Sequence, residues 1–175
     1  MKSIKAICIG VLVFLAGSVN AAAPFGGDED VAYAKNLWST MMDAGFAGEG
    51  SIQSRPYKGQ HPHGAILDTF EGQIAIDGKL HQIIIKRNYG GEGVSIATVS
   101  NDRAKYLKAV TVMLKRPGYD PETQDWFWAK FKADGSLDVN PKGMMLAGKV
   151  AKGKPKGCIA CHTAAPGGDM MFLRD

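Results

Sequence analysis

Cys158, Cys161 and His162 place two thiols and an imidazole within five residues near the C-terminal end of a 175-residue chain. Three chemistries use such a cluster. A redox dithiol needs a βαβ setting near the motif, and no such pattern precedes it here. A zinc site needs four ligands, or three and a water. The chain has no second cysteine pair, although His61 and His63 of "HPHG" could supply nitrogens. The third chemistry is c-type haem attachment, whose direct signature is the spacing Cys-x-x-Cys-His. On one helical turn each thiol can take a haem vinyl group, and His162 is then aimed at the iron as proximal ligand. The spacing favours haem, with zinc and redox or disulfide chemistry as the alternatives.

A second axial ligand is harder to find. Met170 and Met171 lie too close to His162 in sequence to wrap to the far side of an iron. Met41, Met42, Met113, Met144 and Met145 are further candidates, and each also reads as a core filler. The expectation is one haem with five-coordinate iron, which permits ligand chemistry rather than electron transfer alone. The alternative is an electron carrier with a sixth protein ligand.

The N-terminus bears on the same question. A short basic start, an apolar run "AICIGVLVFLAG" and small residues before Ala21 predict a signal peptide over 1–21, followed by a single domain over 22–175. The apolar run is too short to span a bilayer comfortably. Export, with a periplasmic location, suits c-type haem. Cys8 leaves with the signal, so two of the three cysteines remain. Losing Lys2 and Lys5 lowers the net charge from +4 to +2. So mild a balance gives no reason to expect nucleic acid or a membrane surface as partner.

The elements that must position the cluster follow from periodicity. "DEDVAYAKNLWSTMMDAG" predicts a helix, with Asp28 as N-cap, acids in the first turn and Gly45 at the end. Val31, Ala34, Leu37, Trp38 and Met41 form its apolar stripe. "GEGSIQSRPYKGQHPHG" reads as loop. "AILDTF", "HQIIIKRNY", "YLKAVTVMLK" and "QDWFWAKFK" read as strands, the last two flanking a long hairpin loop, "RPGYDPETQD". Val110, Val112 and Leu114 share a strand face. Phe127, Ala129 and Phe131 share another, with Trp126 and Trp128 opposite. Bulk on both faces suggests a sheet covered by helix on one side and by something large and apolar, such as a haem, on the other, with an ordinary two-sided core strand as the equal alternative. A short helix should carry the Cys-x-x-Cys-His motif. The lysines before it read as solvated, with a weaker reading as a docking face for an acidic redox partner.

"IIIKRNYGGEG", "KAVTVMLKRPGYDPETQDWFWAKFKADG" and "GCIACHTAAPGGDMMF" together resemble the cytochrome P-460 family, which includes cytochrome c′-beta. The resemblance runs from about His63 to Phe172. It implies an exported α+β protein, usually a homodimer, in which an antiparallel β-sheet and helices pack with one haem. It also implies covalent attachment at Cys158 and Cys161, and His162 as the iron ligand opposite an open position. The ligand or substrate would be a small nitrogenous compound, hydroxylamine or nitric oxide. In the enzymes of the family a lysine is bonded to the porphyrin edge, and the matching residue is Lys86. Strand alternation puts Lys86 on the face of Ile84. There it must be neutralised or reacted if buried, or else snorkel into water from the strand end. Hydroxylamine-oxidising members use a distal carboxylate on the strand that here reads "KAVTVMLK". That strand has no acid, and Thr111 lies near the expected place. His63 could substitute as the proton-transfer group, against a plainer reading as a turn residue.

Overall fold

A computed structural model describes residues 25–172. The expected signal segment, Cys8 and the cleavage point lie outside the described residues.

The first helix, α1 (Asp28–Asp43), forms where the apolar stripe predicts it. Ala34, Leu37 and Met41 are buried, and Val31 and Trp38 pack partly buried beside them. The N-cap is Gly27, one residue earlier than expected, so Asp28 joins Glu29 and Asp30 inside the first turn. There all three carboxylates complement the helix dipole. Ala44 caps the other end, and Gly45 turns the chain at φ +70°.

Six strands follow, β1 (Tyr57–Lys58), β2 (Ile66–Ile76), β3 (Lys79–Tyr89), β4 (Leu107–Lys115), β5 (Trp126–Lys132) and β6 (Ala147–Gly148). They pair in chain order, every pair antiparallel. The fold class is α+β, as expected. Two short strands, β1 and β6, lie in stretches that carry too few residues to show a period. β2 and β3 also run longer than their apolar cores suggest. They meet at Asp77–Gly78, where both residues have positive φ (50° and 73°), the backbone of a tight hairpin turn that an Asp-Gly pair favours. Between β3 and β4 lie α2 (Ile96–Asn101), closed by a Ser95–Thr98 capping box, and the single turn α3 (Arg103–Tyr106).

Register decides what each face carries. Ile85, Val112 and Ala129 are cross-strand neighbours, as are Ile83, Leu114 and Phe127. Both rows pack in one buried cluster with Ala34, Leu37 and Met41 of α1. The other face holds the row Ile84, Met113, Trp128 and the row Lys86, Thr111, Lys130. Its apolar part packs with Ile159, Val150 and Met170 from the C-terminal segment. The sheet thus has a helix on one side and the thiol-bearing segment on the other.

One buried polar cluster ties the loop after α1 to this frame. Asp68, fully buried, accepts from Arg87 (2.9 Å), Arg103 (2.5 Å) and the Tyr89 hydroxyl (2.6 Å). The same guanidiniums donate outward, Arg87 to the carbonyls of Phe46 (2.7 Å) and Ile52 (2.8 Å), and Arg103 to that of Ser54 (2.9 Å). The loop that continues to His61 and His63 is therefore anchored before it reaches the sheet's other face.

Candidate functional site

The Cys-x-x-Cys-His residues form the short helix α4 (Cys158–His162). The turn into it needs glycine. Gly157 sits at φ +138°, and a Cβ there would run into the Ala151 side chain. Upstream, residues 149–152 are latched to the β4–β5 loop by Asp120. Its buried carboxylate accepts from Lys152 (2.5 Å) and Thr123 (2.7 Å), with Lys149 3.9 Å away. Lys149 and Lys152 are thus ion-paired rather than merely solvated, whereas Lys154 and Lys156 are exposed.

His162 is buried, and its Nδ1 lies 2.7 Å from the carbonyl oxygen of Met170. A carbonyl only accepts, so Nδ1 carries the proton and Nε2 keeps its lone pair. Met170 makes this bond from a left-handed conformation, φ 64°. The tail that holds it is fixed by Trp126 Nε1 donating to the Asp169 carbonyl (3.2 Å), by Met171 N donating to Asp169 Oδ1 (2.9 Å), and by Gln124 donating to the Gly168 carbonyl. Aromatic rings surround the imidazole: Trp128 at 4.8 Å, Phe172 at 5.3 Å and His63 at 6.3 Å between centroids. The Trp128 indole N–H is itself buried with no hydrogen-bond acceptor among the described residues. Burial pushes His162 below its ordinary pKa, helped by the Lys86 charge and opposed by the Met170 bond. The imidazole is neutral, as a metal ligand must be. Burial likewise pushes the Cys158 thiol up.

A cleft of about 640 Å³ opens between α4 and the sheet. Cys158, Cys161 and His162 line one wall. Ile84, Lys86, Thr111, Met113 and Trp128 line the other, and His63 and Asn88 close an end. The sequence-derived candidates thus meet around one space. Lys86 is only 7% exposed, so the reading in which it snorkels into water is corrected. Alternation and a full-length neighbouring strand keep it over the cleft. Thr111 Oγ1 lies 3.4 Å from the Lys86 carbonyl and 3.3 Å from Asn88 Nδ2. His63 Nδ1 lies 3.0 Å from Asn88 Oδ1. Burial pushes the His63 pKa down to about 4, with the Lys86, His162 and Lys130 charges adding to the effect and the Asn88 bond opposing it.

The methionines separate by the same faces. Met41 is on the buried face of α1, Met42 and Met145 are exposed, and Met170 packs in the core with Ile159 of α4. Of the expected sulfur candidates only Met113 lines the cleft. Zinc fares worse. Among the described residues no three His, Cys, Asp or Glu side chains converge to hold a metal ion.

The family model for Cytochrome P460 matches residues 72–173. The chain belongs to the cytochrome P460 family. Membership makes it a haem-binding protein of the P460 and cytochrome c′-beta kind. Lys86, Thr111, Cys158, Cys161 and His162 fall inside the matched span, and His63 falls outside it. Comparison with curated proteins and with solved structures finds no match.

The residues present fit a haem. An apolar cleft of this size suits a large flat group, two thiols share a wall, and an imidazole with its outer nitrogen tied to a carbonyl is in the state that iron ligation requires. Two functional groups escaped sequence reasoning. The Met170 carbonyl is a backbone atom with no side-chain signal. Asn88 could have been found, since it lies two residues beyond Lys86 on the same strand face.

Proposed function

We propose that this chain is an exported cytochrome with one covalently attached haem c and an open iron position that takes a small nitrogenous ligand, hydroxylamine or nitric oxide. Cys158 and Cys161 would hold the haem through thioether bonds, and His162 Nε2 would ligate the iron. The observation that carries this reading is the bond between His162 Nδ1 and the Met170 carbonyl (2.7 Å) on the wall that bears both cysteines. When bound, the haem supplies a ligand-binding iron that exchanges electrons.

The chain's own part is to orient, to keep the pocket apolar and to move protons. Oxidising hydroxylamine requires a proton acceptor. The Thr111 hydroxyl is a poor base at neutral pH and is already engaged with the Asn88 amide. His63, neutral near pH 7, is the better candidate. Lys86 is the residue for a covalent link to the porphyrin edge, because it is buried and lines the cleft that the two thiols share. A second reading, a non-catalytic gas binder, draws on the wall formed by Ile84, Thr111 and Met113, which has no carboxylate. Partners in the proposal are a second copy of the chain and a redox protein. The exposed Lys154 and Lys156, the second of which lines the cleft, suit a docking face for an acidic redox partner.

Three measurements on purified holoprotein test this. The enzyme reading expects a ferrous band shifted far to the red and a tryptic peptide in which Lys86 carries haem. It also expects hydroxylamine-dependent reduction of an added electron acceptor. An ordinary high-spin ferrous spectrum with unmodified Lys86 and no turnover would leave only the gas binder.

A further inference from the structure

We propose that Asn88 is a positioning residue that holds His63 in the tautomer with a bare Nε2, so that the cleft favours a ligand carrying N–H or O–H over one that carries none. This rests on the reading of the cleft as the haem and ligand site.

The amide of Asn88 has only one workable orientation. Its nitrogen faces three acceptors, the carbonyls of Lys86 (2.9 Å) and Ala109 (3.3 Å) and the hydroxyl of Thr111 (3.3 Å). Its oxygen faces the backbone N–H of Gly64 (3.3 Å) and His63 Nδ1 (3.0 Å). Exchanging the two ends would set oxygen against oxygen and N–H against N–H, so the network assigns them. The amide oxygen can only accept. His63 Nδ1 must therefore donate, and in the neutral ring Nε2 is left as an acceptor. Gly64 makes the approach possible, since a Cβ there would collide with the backbone of Tyr89 on β3. Asn88 is buried and is paired with Leu67 on one side and with Ala109 on the other, at the last position before the β3–β4 pairing shifts between Asn88 and Tyr89, so the tautomer is set by backbone that holds the amide from both sides.

The consequence is chemical. An acceptor at the cleft takes a hydrogen bond from a protic ligand such as hydroxylamine. Nitric oxide has no hydrogen to donate, so its binding does not depend on this nitrogen.

The test uses holoprotein labelled with ¹⁵N-histidine, as the ferrous carbon monoxide adduct, which is diamagnetic. The wild type should show His63 protonated at Nδ1 and bare at Nε2. Asn88→Ala should release the ring toward the Nε2–H form, and Asn88→Asp, which keeps an acceptor oxygen, should restore the original tautomer. In the ferric protein without an electron acceptor, Asn88→Ala should weaken hydroxylamine binding ~10-fold, the effect of one hydrogen bond. Nitric oxide affinity should change less than about twofold on the same scale. A wild-type His63 protonated at Nε2 would overturn the proposal, and so would equal weakening of both ligands. Should Asn88→Ala fail to mature, the wild-type tautomer still decides. A holoprotein with no open iron position would instead defeat the functional reading, and the histidine spectrum reports on Asn88 regardless.

Discussion

A single hydrogen bond gives His162 its chemistry. The Met170 carbonyl fixes the proton on Nδ1 and leaves Nε2 to the cleft, and no side-chain substitution at Met170 removes that carbonyl. The cysteines are easier to test. Expressed with haem-maturation machinery, the wild type should gain the mass of one haem, stable to denaturation. Cys158→Ala with Cys161→Ala should lose that gain, as read by intact mass spectrometry. An unchanged mass gain would break the link between the motif and attachment. The Cys158–His162 spacing was legible in the sequence because c-type attachment demands consecutive residues. Strand alternation from Lys86 could have placed Asn88 on the cleft face, but its bond to His63 and the role of the Met170 carbonyl were not legible, because each depends on where a distant backbone arrives.

At the scale of elements, alternation made β4 and β5 legible. Val112 and Ala129 pair on the helix side, and Met113 and Trp128 pair on the cleft side, as the two-residue period requires. The β2–β3 hairpin was only half legible, since Gln73 and Lys79 interrupt the apolar pattern although Asp77–Gly78 marks the turn. The segment holding α2 and α3 carries too little periodicity to assign. Asp120 shows how an element is held for function. Burial alone would raise its pKa, but the bonds from Lys152 and Thr123 and the nearby lysine charges more than offset this, and the pKa falls below its ordinary 3.8. The carboxylate's stabilisation is therefore complete above that pH and is lost as pH falls through the lower folded value. Asp120→Asn should cost about 1–3 kcal/mol at neutral pH. It should also flatten the loss of thermal stability below pH 3.8, as followed by calorimetry across pH. An unaltered acid slope would show that the latch does not contribute.

The whole molecule is a sheet shared between two layers with different tasks. The α1 side is an ordinary core, where Leu37 and Met41 meet Ile85, Val112 and Phe127. The other side brings α4, Lys86 and His63 around the cleft. Leu37→Ala should cost about 2–5 kcal/mol of folding stability by leaving a cavity. Denaturant unfolding should show that loss while the haem absorption stays unchanged, because the sheet separates the two layers. A shifted absorption spectrum in this variant would mean that the layers are coupled. Haem binding follows from family membership, whereas the open position opposite His162 is the central claim. It is tested most directly by electron paramagnetic resonance of the ferric holoprotein without added ligand. A high-spin signal is expected, converting to low spin when hydroxylamine or cyanide is added. A low-spin signal in the resting protein, with Met113 or His63 on the iron, would contradict it.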